Sequence, residues 1–332
     1  MFDIKKVVII ACFALTTSGC DYFGTKPKEV VTPDDATIEK RAAKPAVAAK
    51  DWAAIRAIEA KTGGRIGAAL IDSTGKISYA WRGDERFAMC STFKLPLVAT
   101  VLARVDREDI TLDDKITIKK SDMLNNSPIV AAALKSAGGI EAEMTIAQLA
   151  AGTIQTSDNA SANLLLIPVG GPAGMTAQLR AWGDTVTRVD RNEPSMNENV
   201  PGDPRDTTSP VAMTNLMRTM MEGKVLTPDL RTQLIRWTVG TTTGANRIKA
   251  GLPGDTLLGH KTGTCGTAWN DIGFFRRKDG MGFGANAYYL SVYIDRPTAP
   301  EAEVEAAIAQ IAKLAFAQAE AADMQAVAKR LK

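Results

Sequence analysis

The chain has 332 residues and a mass of 35.4 kDa, with 45% hydrophobic and 23% charged residues. That composition excludes a disordered, collagen-like or coiled-coil chain, and at about 150 residues per domain it suggests two lobes, each able to bury a core. A formal charge of +3 argues against nucleic acid as the main partner, and a single histidine argues against a histidine-built zinc centre.

The chain opens with the pattern of an export signal over residues 1–19. Lys5 and Lys6 precede an apolar run from Val7 to Leu15, followed by Thr17, Ser18 and Gly19. The run is too short to span a bilayer as a mature helix. Cys20 follows directly, a resemblance to bacterial lipoprotein signals, in which that cysteine is acylated, although Thr17 stands where Leu is usual. Residues 20–50 are Pro-, Lys- and Ala-rich and read as a flexible linker. Asp21 favours retention at the inner membrane of a Gram-negative cell. The expectation is a periplasmic protein, lipid-anchored through Cys20.

Apolar residues at 52, 55 and 58 predict a helix that Thr62-Gly63-Gly64 ends. Segments 65–72 and 76–82 flank Ser73-Thr74-Gly75 and predict a β-hairpin. From Ser91 to about Trp237 the signals are mostly helical, including a helix read from Glu143 and a Met-rich core helix near Met213–Met221. Strand patterns return over 257–265, 271–277 and 284–295, and a last helix starts near Pro300-Glu301. The fold class is α/β (α+β): a sheet completed by the two chain ends, with an inserted all-α lobe. The expected boundaries are 51–88 and 240–318 for the α/β lobe, 89–239 for the all-α lobe, and 319–332 for a helical extension. A site is expected where the lobes meet.

Ser91 and Lys94 lie three apart where strand signals give way to a helix, so they share a face. A helix start favours developing negative charge, and a lysine of lowered pKa can activate a serine without histidine. Ser73 and Lys76 repeat the spacing inside a turn, and Pro96 requires an irregular first turn. Lys261-Thr262-Gly263 sits in a strand, unlike Lys61-Thr62-Gly63, which stops a helix. Alternation puts Thr262 and Thr264 on one face and Lys261 and Cys265 on the other, and Gly263 would leave room for a ligand. His260 reads as a strand-start residue at the edge of the site, and Trp269 as packed core. Ser157-Asp158-Asn159 is compatible with a helix N-cap. Residues 188–208 form a long polar loop with three prolines, a length that is usually functional. The loop holds Glu193-Pro194 and Asn197, and Arg191 could pair with Asp206 to pin its ends. The four cysteines leave disulfides, a metal site or chance open.

Ser-x-x-Lys, Ser-Asp-Asn, a Glu-bearing loop and Lys-Thr-Gly, in that order, resemble the class A serine β-lactamases. The resemblance covers about residues 51–316. It implies that family's fold (an antiparallel sheet flanked by helices, plus an all-α lobe), no cofactor or metal, a small-molecule β-lactam partner and a monomer. It implies Ser91 as nucleophile, Lys94 and Glu193 sharing the role of acylation base, and Ser157 and Lys261 relaying a proton to the leaving nitrogen. Glu193 and Asn197 would hold the hydrolytic water. Asn159 would bind the substrate side-chain amide; Thr262, Gly263, Thr264 and Arg247 would line the substrate carboxylate. The backbone N–H groups of Ser91 and Thr264 would form the oxyanion hole. Cys90 and Cys265 resemble the pair that forms a disulfide in a subgroup rich in carbapenem hydrolases. Three departures stand out: Asn126 before Ser127-Pro128 in place of an aromatic residue, extra chain near residues 134–143, and the tail after Phe316. A D-alanyl-D-alanine peptidase shares part of this chemistry but lacks the Glu193 loop. A non-catalytic β-lactam sensor would need membrane-spanning helices and a partner domain.

Overall fold

The computed structural model describes residues 50–75, 78–277 and 287–330. The expected export signal, Cys20 and the expected linker up to residue 49 lie outside the described residues. Lys50, read from sequence as linker, belongs to a short strand β1 (Lys50–Asp51). Helix α1 (Ile55–Thr62) starts after Trp52 and ends on Gly63 in the left-handed conformation, which a glycine adopts without a Cβ clash. Strands β2 (Arg65–Asp72) and β3 (Ser78–Trp81) pair antiparallel, followed by β4 (Phe87–Ala88).

The 3-10 turn Cys90–Phe93 leads into α2 (Lys94–Asp106). This irregular start accommodates Pro96, whose missing N–H falls among the donors a first turn leaves unpaired. The remaining elements of the helical region are β5 (Lys115–Lys119), α3 (Pro128–Ser136), β6 (Glu141–Thr145), α4 (Ile146–Gln155), α5 (Asn159–Leu166), α6 (Gly171–Ala181), β7 (Thr207–Thr208), α7 (Pro210–Glu222) and α8 (Pro228–Val239). Two small sheets pair segments that the sequence reading did not mark as strands: β5 with β6, and β4 with β7. The helix expected from Glu143 starts instead at Ile146. Thr145 caps it by accepting from Gln148 N, and residues 141–145 pair with β5.

The chain returns to the main sheet in β8 (Thr256–Cys265), β9 (Ala268–Arg277) and β10 (Tyr288–Asp295), then closes with α9 (Glu301–Arg330). The six strands run in the order β1-β3-β2-β10-β9-β8. The expected antiparallel sheet is mixed, because β1 pairs parallel with β3. Its core joins Ile66, Leu70, Leu290 and Val292 on the sheet to Ile55 of α1 and to Val304, Ile308 and Ile311 of α9. Nine α-helices are present among the described residues. Residues 319–330, expected as a helical extension, continue α9 as its last turns. Ala319 and Asp323 are buried there, and Tyr288 Oη lies 2.7 Å from Asp323 Oδ1.

Candidate active site

Strand β8 is an edge of the six-stranded sheet, so one row of its backbone groups has no strand partner among the described residues. Its inner face packs on the Cys90–Phe93 turn. Cys265 forms a disulfide with Cys90 across a Cα–Cα distance of 5.7 Å. Gly263 serves this packing rather than leaving space for a ligand. A Cβ on Gly263 would lie 2.7 Å from Met89 O and 3.0 Å from Thr92, so the backbones approach as only glycine allows.

The turn brings Ser91 to Lys94, whose Nζ donates to Ser91 Oγ at 3.1 Å. The same ammonium donates to Ser157 O at 2.7 Å, to Ser157 Oγ at 3.3 Å and to Asn159 Oδ1. It lies 3.3 Å from Glu193 Oε1. From the other side Lys261 Nζ donates to Ser157 Oγ at 3.0 Å and to Thr262 O at 2.8 Å. Ser157 therefore bridges two lysines that are both fully buried. Burial pushes the Lys94 ammonium below the ordinary lysine range, against the opposing charges of Glu193 and Asp158. Burial, then the neighbouring Lys94 charge, holds Lys261 well below that range.

Asp158 is the N-cap of α5 that the motif allows, accepting from Ser161 N at 2.8 Å. Capping places Ser157 on one side of the bend and Asn159 on the other.

The 188–208 loop is ordered by its own charges. Asp206 accepts from the N–H groups of Asp190 and Arg191 and pairs with Arg191 Nε at 2.6 Å. It contains a short 3-10 turn, Ser195–Asn197, beside the cis Glu193-Pro194 bond. Asn197 Nδ2 donates to Glu193 Oε2. Asn163, which sequence reasoning missed, exchanges two hydrogen bonds with the Glu193 backbone, at 3.0 and 2.8 Å. Its position four residues after Asn159 on one helix face was the available signal.

On the other face of β8, Arg247 Nη2 donates to Thr264 Oγ1 at 2.8 Å. Its Nη1 donates to Asn270 O and Gly263 O, and its Nε pairs with Glu305 of α9 at 2.9 Å. Thr262 Oγ1 sits 2.7 Å from Thr243 Oγ1. His260 is not at a strand start. It lies mid-strand, buried, with Nδ1 3.0 Å from Asp271 Oδ1. Asp271 also accepts from Ile248 N, just after Arg247. Trp269 packs against the core cluster near Glu301.

The structure thus gathers Ser91, Lys94, Ser157, Asn159, Glu193, Asn197 and Lys261 into one bonded network. Thr262, Thr264 and Arg247 form a polar rim beside it. Such a set suits nucleophilic attack by serine with proton transfer through lysine and carboxylate.

The model of the β-lactamase enzyme family matches residues 51–319. β-Lactamase CTX-M-8 of Citrobacter amalonaticus is 43% identical over 210 residues, 63% of this chain and 70% of that protein. β-Lactamase Toho-1 of Escherichia coli shows the same figures. Among solved structures, an ancestral class A β-lactamase superposes with a TM-score of 0.75 at 43% identity, covering 80% of this chain and 98% of that one. A β-lactamase from Xanthomonas campestris pv. campestris gives 0.74 at 38% identity, covering 85% and 97%. The chain belongs to the class A serine β-lactamase family, and it is a hydrolase of that class.

Proposed function

We propose that the chain hydrolyses β-lactams through an acyl-enzyme on Ser91 and thereby confers antibiotic resistance. Ser91 Oγ attacks the lactam carbonyl as its proton passes to the basic pair of Lys94 and Glu193. The carbonyl oxygen takes the charge between the N–H groups of Ser91 and Thr264. The ring C–N bond then breaks, and the nitrogen receives a proton from Ser157, which Lys261 assists. Glu193 and Asn197 hold the water that hydrolyses the ester. Asn159 binds the substrate side-chain amide, and Thr262, Thr264 and Arg247 take the carboxylate. The observation that carries this reading is the buried Glu193 carboxyl, 3.3 Å from Lys94 Nζ and held by Asn197.

Penicillins and cephalosporins are the proposed substrates. The Cys90–Cys265 bond beside Ser91 supports adding carbapenems. The protein works as a periplasmic monomer, exported by residues 1–19 and anchored at the inner membrane through lipid on Cys20. Steady-state kinetics on nitrocefin and a carbapenem test the chemistry. Continued turnover of both is expected. A single stoichiometric burst on nitrocefin would overturn the mechanism, and a carbapenem that stays on Ser91 for hours would remove it from the substrates. A Cys20→Ala variant should leave the membrane fraction; one that stays there overturns the anchor.

A further inference from the structure

The turn ahead of α3 grips the Ser157–Asn159 bend. Asn159 N donates to Asn126 O, and Asn159 Nδ2 to Asn125 O, both at 3.0 Å. Ala160 N donates to Ser127 Oγ, and the Asp158 carboxylate accepts from Ile129 N and Val130 N. One further bond differs in kind, because it ends on an atom that Lys94 uses. Asn126 Nδ2 donates to Ser157 O at 3.1 Å, and Lys94 Nζ donates to the same oxygen at 2.7 Å. A carbonyl oxygen has a lone pair for each. Ser157 has φ 60° and Asn126 φ 56°. Asparagine tolerates that left-handed region, whereas a serine there persists only where its surroundings hold it.

We infer that Asn126 is a positioning residue for acylation: its side-chain amide fixes the Ser157 carbonyl, and that carbonyl fixes Lys94 Nζ against Ser91 Oγ. The inference rests on the acyl-enzyme reading, with Lys94 activating Ser91. Without the amide the Ser157 peptide can rotate, and Lys94 loses the fixed direction of one of its acceptors. Small displacements of a reacting pair cost rate far more than binding.

The test follows acyl-enzyme formation from a penicillin by quenched mass spectrometry in a Glu193→Gln background, where the ester should persist. Asn126→Gly accepts the left-handed backbone but has no amide. Asn126→Asp keeps the size and turn tolerance but sets an acceptor against Ser157 O. The expected result is an acylation rate about tenfold lower for the glycine variant and lower still for the aspartate, with penicillin affinity changed by less than about threefold. Thermal melting reports that both variants fold. Acylation within about twofold of the Asn126 protein in both would overturn the inference alone and leave Asn126 a turn residue. An Asn126 protein that gathers no acyl-enzyme would overturn the mechanism and, with it, the inference.

Discussion

Lys261 donates to Ser157 Oγ and Thr262 O from a fully buried position, and burial holds its pKa well below the lysine range. The unfolded chain therefore binds more protons at this residue than the folded one, from the depressed value up to the ordinary value of about 10.4. In that window the native state gains stability as pH rises. Above it the penalty on the charged form is gone. Lys261→Met removes the linkage, so between pH 7 and pH 10 the urea midpoint of the parent should rise relative to that of the variant. Parallel pH profiles would contradict the buried, weakly basic lysine. At this scale each motif was ambiguous alone, since Ser73/Lys76 and Lys61-Thr62-Gly63 repeat two of the spacings, and it was the order of the set, through its resemblance to a family, that made the motif residues legible. Gly263 and His260 were misread because their partners lie elsewhere in the chain. Met89 O decides the first, and Asp271 across the β8–β9 pair decides the second.

The Cys90–Phe93 turn and β8 act as one unit, with Gly263 letting the backbones approach and Cys90–Cys265 tying them. Cys90 has φ 45°, and Ser91 follows it directly. A cross-link over 175 residues stabilises by about 5 kcal/mol at most on the chain-entropy formula. Reduction should lower the melting temperature and the rate on nitrocefin together; thermal scans and assays with and without reductant read both. Unchanged melting would mean that the packing alone holds the turn. Other elements show what periodicity misses. Lys115–Lys119 alternates as a strand should, but its partner β6 lies beyond α3, so the local pattern was absorbed into a helical region. The 188–208 loop was recognised from its polarity, its three prolines and its length. Its order comes from the foreseen Arg191–Asp206 pair and from Asn163, whose one signal in the sequence was its spacing from Asn159.

At the scale of the whole molecule, the sheet is completed by segments from both ends of the described chain. Strands β2 and β10 are neighbours at its centre. That arrangement was legible, since strand signals flank a helical block. The mixed character was not, because β1 is two residues long and carries no pattern. The final turns of α9 cover Tyr288 with Ala319 and Asp323. Truncation after residue 318 strips a buried hydroxyl of its partners, so the melting temperature should fall by about 2–4 °C while the folded protein keeps its activity. An unchanged melt would show that those turns add nothing to the core. The fold matters to function because it sets the helical region, the 188–208 loop and the β8 edge around one serine. The most direct test of that account is the mass of the Ser91 peptide after Glu193→Gln is mixed with a penicillin. The account predicts a persistent adduct of the whole penicillin mass on Ser91, against rapid turnover by the parent. Turnover by Glu193→Gln at the parental rate, or an adduct on another residue, would contradict it.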